Sequence, residues 1–208
     1  LPLTRFSAER KAFIDYLSKR ERIVFSFEQK LYKIHIMSVS VYPQCYAAVA
    51  NMIPSFGKKV LVIDVGSWTV DSMLIVNKKP DNSKCDTQNE GLIKCMRAIN
   101  RVAVQLKNRK IDESDIQEYM TTGKTNLPKE FKEIMDQQIH EFVDRVYRYQ
   151  TECGFNLDMM PVYFVGGGAI VMRNFGKYQQ NNIHYVLDVK ANAKGFETMA
   201  RIALRSGR

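Results

Sequence analysis

Three short stretches of this 208-residue chain combine residue types that handle phosphate, ribose and water. The first is Val60-Leu61-Val62-Ile63-Asp64-Val65-Gly66-Ser67-Trp68-Thr69-Val70-Asp71. An apolar run ends in a carboxylate, and a glycine follows two positions on. Glycine lets backbone approach a phosphate closely, and the turn's N–H groups, with the Ser67 and Thr69 hydroxyls, can donate to its oxygens. Asp64 at the strand end can hold magnesium through water, because magnesium takes few protein oxygens and keeps its own waters. The same residues also read as an ordinary Asp-x-Gly hairpin turn. The second stretch is Val162-Tyr163-Phe164-Val165-Gly166-Gly167-Gly168-Ala169. Three glycines between a buried strand and a helix leave bare backbone, which suits a flat base and ribose or an anion, although a flexible strand-to-helix turn has the same composition. The third is Tyr42-Pro43-Gln44, where a side-chain amide could orient an attacking water or simply open a helix. One apparent motif fails: Thr121-Thr122-Gly123-Lys124-Thr125 ends like a P-loop, but position 118, where the pattern needs glycine, is Glu118, and no strand precedes it.

The elements that must position these residues follow from periodicity. Ser7–Arg20 reads as a helix capped by Ser7, with Phe13, Ile14 and Leu17 as its apolar stripe. Ile23–Phe27 and Leu31–Val41 alternate like a hairpin that Pro43 stops, and Gln44–Ile53 reads as a short helix. Val60–Ile63 is a fully buried strand by its unbroken apolar run. Thr69–Val76 and Lys84–Thr87 continue it as a β-meander, with Asn77–Ser83 as a turn. Helices are expected over Glu90–Leu106, Asp112–Met120 and Pro128–Cys153, the last closed by Gly154. A strand at Pro161–Val165 precedes a helix start at Ala169–Phe175, and a short strand at His184–Leu187 precedes a final helix over Asn192–Leu204. In the final helix Phe196, Met199, Ala200 and Ala203 share one face.

Composition narrows the classes. Hydrophobic residues make up 45% and charged residues 25%, as in a soluble globular chain with a real core. No apolar run approaches the roughly 18–20 residues that span a bilayer, so no membrane partner is expected, and a cytoplasmic location fits. Cys45, Cys85, Cys95 and Cys153 never fall at CxxC spacing, and His35, His140 and His184 share no ligand spacing, so free thiols and no zinc are expected. The net charge of +9 favours acidic partners, but the basic residues (Lys58-Lys59, Lys107 to Lys110, Arg201, Arg205, Arg208) are dispersed.

The order Pro43-Gln44, then Ile63-Asp64-Val65-Gly66 with Thr69 and Asp71, then Val165-Gly166-Gly167-Gly168-Ala169 resembles the actin–chaperone–hexokinase ATPase superfamily. It resembles most closely the ParM/StbA group of plasmid-segregation actin-like ATPases. The opening Leu1-Pro2-Leu3-Thr4 and the late Ala191-Asn192-Ala193-Lys194-Gly195-Phe196 resemble that group too, so the likeness runs along nearly the whole chain.

The resemblance implies an α/β fold with a mixed sheet, the ribonuclease H-like actin fold, with nucleotide between two lobes. It assigns Asp64, Gly66, Ser67, Trp68 and Thr69 to a phosphate turn and Gly166, Gly167, Gly168 and Ala169 to the adenosine. It assigns Glu90 to the ribose, Gln44 to the hydrolytic water, and Asp64 to magnesium through water. Asp71 is expected to be a buried structural carboxylate, and Trp68 stands where a small residue is usual. The family's first phosphate loop has no counterpart before Asp64. The chain is therefore expected to be a C-terminal portion of a longer protein that alone binds nucleotide weakly and hydrolyses little. On this reading residues 1–56 are the remainder of the first lobe, 57–187 the second lobe, and 188–208 a helix returning to the first.

The implied activity is ATP or GTP hydrolysis driving self-assembly into filaments for DNA segregation, with a DNA-bound adaptor as a further partner. Two other classes compete: a non-polymerising chaperone- or kinase-type ATPase of the same superfamily, and a basic nucleic-acid-binding module. The second of these needs aromatic–basic interleaving, which the chain lacks.

Overall fold

Val60 to Val65 is buried on both faces, and its side chains alternate between two cores. Leu61, Ile63 and Val65 enter one and Val60 and Val62 the other, as the period-2 geometry of a strand dictates. This is strand β3 (Lys59–Val65), the centre of a five-stranded sheet in a computed structural model that describes residues 3–177 and 180–205. Leu1 and Pro2 of the opening motif and Arg208 of the basic set lie outside the described residues.

Before β3 come helix α1 (Phe6–Ser18) and the hairpin β1 (Arg22–Phe27) and β2 (Lys30–His35). After it come β4 (Val70–Val76), β5 (Lys79–Gln88), α2 (Leu92–Lys107), α3 (Glu113–Thr122), α4 (Lys129–Glu152), β6 (Val162–Val165), α5 (Ala169–Phe175), β7 (Ile183–Tyr185) and α6 (Ala191–Arg205). The large sheet runs β5-β4-β3-β6-β7, with β3, β4 and β5 antiparallel and β3, β6 and β7 parallel. The larger core joins one face of this sheet to α2, α3, α4 and α5 through Ile99, Ile116, Met135, Ile139, Phe142 and Met172, all buried. The smaller core covers the other face with Leu3, Cys45, Ala48, Val49, Phe56 and Ala191.

The meander β3–β4–β5 forms as expected, but β5 begins at Lys79, so Pro80 and Asp81 lie within a strand. β5 is the sheet's edge, where a residue without an N–H is tolerated. The turn is only Asn77-Lys78, both with positive φ, the geometry of a tight hairpin. Likewise Glu28 and Gln29, at φ 47° and 62°, close β1 onto β2. β2 stops at His35, six residues before Val41. Ser7 lies inside α1, and Arg5 holds the cap position. No residue of α1 is buried, and Phe13 and Leu17 face solvent on their shared side. In place of one helix over Gln44–Ile53 there are two 3-10 turns, Ala47–Val49 and Ile53–Ser55. Cys45 at φ 52° and Pro54 break the α-helical path. Among the described residues no helix is long and apolar enough to cross a membrane.

Candidate functional site

β3 and β6 are parallel neighbours, with Asp64 in register with Val165. Parallel strands leave a sheet at the same edge, so the turns after Val65 and Val165 open side by side. They touch. The Gly168 N–H donates to the Val65 carbonyl at 2.8 Å. A Cβ on Gly166 would lie 2.1 Å from Asp64 Oδ1, and one on Gly168 2.3 Å from Val65 Cγ1. Gly166 also has φ +81°, a conformation other residues resist. Gly167, by contrast, faces open space. Ala169 is fully buried and its N–H donates to the Gly166 carbonyl, so it braces the turn from within.

The first turn is pinned by α2. The N–H groups of Gly91, Leu92 and Ile93 donate to the carbonyls of Trp68, Gly66 and Ser67 at 3.0, 3.1 and 2.9 Å. Gly91 is needed there, since its Cβ would fall 2.4 Å from the Ser67 carbonyl oxygen. In a trans peptide the N–H points opposite the preceding C=O. With the carbonyls of 66, 67 and 68 turned to α2, the N–H groups of Ser67, Trp68 and Thr69 point away from it. They meet no acceptor among the described residues. Successive unpaired amides of this kind form an anion-binding concavity.

The side chains around this concavity have distinct states. Thr69 Oγ1 donates to Asp71 Oδ2 at 2.9 Å and Thr87 Oγ1 to Asp71 Oδ1 at 2.5 Å. Buried Asp71 is thus satisfied within the fold, and Thr69 offers the mouth its amide while its hydroxyl proton is engaged. Ser67 is exposed. Trp68 is 61% exposed, with the Arg97 guanidinium of α2 5.4 Å from its ring centre, so the bulky residue turns outward. Glu90 stands beside the turn, paired with Lys94 at 3.0 Å. Asp64 is 7% exposed and accepts from Asn192 Nδ2 at 2.7 Å. Burial pushes its carboxyl above the usual range, the Asn192 bond opposes this, and Asp71 adds to it. Gln44 is half-buried; the next residue, Cys45, is fully buried, with Sγ 3.6 Å from the Asp71 carbonyl. Burial and the nearby Asp64 and Asp71 raise the Cys45 thiol well above its ordinary value.

Asp64, the 66–69 turn, Glu90 and the 166–169 turn therefore gather around one end of β3, and Gln44 is tied to that end only through its neighbour Cys45. Two participants carried no assignment from sequence, Asn192 and Arg97. Each acts on a residue far away or on another element, so although Asn192 lies in the Ala191–Phe196 stretch, its sequence neighbours give it no role. The residues fit a phosphate-bearing ligand, with unpaired amides beside one carboxylate. Among the described residues no group of three or more His, Cys, Asp and Glu could hold a metal by itself. A magnesium shared with phosphates and waters needs no such cage.

The mixed five-stranded sheet with these two strand-end turns has the actin-like fold of the solved structures it is similar to. No protein-family model matches the chain, and no curated protein matches it in sequence. Among solved structures the chain is similar to Ta0583, an archaeal actin homolog, with TM-score 0.80 and 19% identity over 97% of this chain and 68% of that one. It is also similar to the Alp12 filament structure (TM-score 0.73, 16% identity, 98% and 67% covered) and to the pCBH ParM non-polymerisable quadruple mutant (0.70, 19%, 97% and 66%). The chain thus spans about two thirds of the length of these proteins.

Proposed function

We propose that this is an actin-like nucleotide-binding chain, and that a protein carrying it together with the family's first phosphate loop hydrolyses ATP or GTP and assembles with itself into filaments for plasmid DNA segregation, through a DNA-bound adaptor. The observation that carries the reading is the row of unpaired amides at Ser67, Trp68 and Thr69, beside the bare backbone of Gly167. The amides would bind phosphate oxygens, the Gly166–Gly168 backbone the adenosine, and Glu90 the ribose. Asp64 would hold magnesium through water, and the ion would offset phosphate charge. Gln44 would orient the attacking water, while Thr69 and Asp71 keep the turn's shape. Residues 57–187 would form the lobe bearing both turns, with 1–56 and 188–208 belonging to the other. Support for nucleotide comes from the similarity to an archaeal actin homolog solved in complex with ADP (TM-score 0.74, 19% identity). Support for filaments comes from the Alp12 filament structure.

Trp68 is the only tryptophan of the chain and lies on the turn, so its emission reports the site. Titrating ADP with magnesium should change that emission saturably and slow amide exchange over 64–69. Neither change occurring would sink the reading. In a protein that also carries the first phosphate loop, Gln44→Ala should slow ATP hydrolysis at unchanged nucleotide affinity, and ATP should raise light scattering, which a non-polymerising ATPase would not do.

A further inference from the structure

Asn192 and Asp64 are 128 residues apart, yet the Asn192 amide donates to the Asp64 carboxylate at 2.7 Å. A carboxylate accepts and does not donate, so the amide must turn its NH2 to Asp64. That choice leaves Asn192 Oδ1 buried without a partner, a loss the fold sustains to keep the other bond. The surrounding packing is equally specific. Ala191 enters the smaller core, and one turn on, Gly195 lies so close to the 47–49 turn that a Cβ would be 1.7 Å from the Ala47 carbonyl oxygen. The other Asp64 oxygen faces Gly166. Asp64 is therefore the point where β3, the glycine turn and the first turn of α6 meet. Through Ala47, α6 also touches the segment that follows Gln44.

We infer that Asn192 is a positioning residue that ties α6 to Asp64, so that occupancy of the 66–69 turn sets how firmly α6 is docked on the sheet. The tie itself is a property of the unliganded chain, and only its response to ligand rests on the proposed nucleotide site. An ion or phosphate drawing on Asp64 changes the acceptor that α6 leans on, and among the described residues the other polar side-chain contacts at that end of the helix run to Asp188 just before it, not to the sheet.

The test is hydrogen exchange on the 208-residue chain, read over residues 191–205. Asn192→Ala and Asp64→Ala should each speed exchange there about tenfold, as expected for losing a bond to a charged group, and the double variant should be no faster than the faster single. Asn192→Asp alone should speed it further by placing like charges together, and pairing it with Asp64→Asn should restore slow exchange by reversing donor and acceptor. The swapped pair keeps the shape of both side chains and so guards against an unfolded alanine variant. Additive single effects, or a swap without recovery, would overturn the tie. With ADP and magnesium, the parent should gain protection over both 64–69 and 191–205, and Asn192→Ala over 64–69 alone. Equal gain over 191–205 in both would overturn the transmission. If ADP protects neither region in the parent, the nucleotide reading falls, while the unliganded variants still decide the tie.

Discussion

Gly166 and Gly167 are adjacent and chemically identical, and the fold asks opposite things of them. Gly166 has φ +81° with Asp64 Oδ1 where its Cβ would be, whereas nothing lies within 4 Å of a Cβ on Gly167. Gly166→Ala should cost about 2 kcal/mol or more, from the left-handed backbone plus displacement of Asp64. Gly167→Ala should stay within about 0.5 kcal/mol in stability and act instead on nucleotide affinity. Urea unfolding of the two variants separates these effects; equal stability losses would show that the turn is not built as described. The run of three glycines was legible as bare backbone. Which glycine meets a neighbour was not, because that neighbour, Asp64, lies about a hundred residues earlier and arrives only through strand pairing. Trp68 teaches the same point. Its bulk looked like an obstacle to a phosphate turn, but Arg97 on α2 draws the ring outward, and no spacing rule couples those two positions.

At the scale of elements, α3 is fastened to α4 by a small polar cluster at the rim of the larger core. The Tyr119 hydroxyl donates to Asp136 Oδ1, and Lys132 Nζ lies 2.5 Å from Asp136 Oδ2 and 5.5 Å from the Tyr119 ring centre. Burial tends to raise the Asp136 carboxyl, but the bonds from Lys132 and Tyr119 outweigh it and hold the group below its ordinary 3.8. A carboxyl depressed in the folded state binds its proton less readily there than in the unfolded chain. Its stabilisation is therefore complete above the unfolded value and is lost as pH falls through the lower, folded one. Asp136→Asn should lower the melting temperature at pH 7, and the deficit should shrink below about pH 4. A deficit unchanged between pH 7 and pH 3 would refute the assignment. Elements whose stability comes from their own burial pattern were the legible ones. The unbroken Val60–Ile63 and the stripe of α4 each specify their neighbours. The segments that strayed depend on context: Pro80 and Asp81 signal a turn unless the strand is an edge. The alanines at 47, 48 and 50 favour a helix, but Cys45 at φ 52° interrupts the path before them, and the segment forms two 3-10 turns instead. The stripe of α1 predicted the helix correctly yet has no core to meet.

Across the whole molecule, stability is distributed as unevenly as burial. The five-stranded sheet lies between two cores, and the side chains of β3 from Val60 onward and of β4 up to Ile75 are buried. The hairpin β1–β2 is different: all of its strand residues are exposed, although it pairs in full register and stacks Phe25 on Tyr32 at 5.3 Å. One face carries Ile23, Phe25, Phe27, Tyr32 and Ile34, and the opposite face carries Arg22, Val24, Lys33 and His35. Cross-strand pairs and a tight turn hold such a ribbon together, but two strands without a core are marginal in water. The hairpin should therefore open locally at small cost while the sheet opens only with the whole chain. Native-state hydrogen exchange in low urea should show amides of 22–35 exchanging far faster than those of 60–65 and 162–165, with little denaturant dependence. The central strands should exchange with the slope of global unfolding. Hairpin amides that shared the global slope would mean that the ribbon belongs to the cooperative core, and its exposed aromatic face would then need a different physical account.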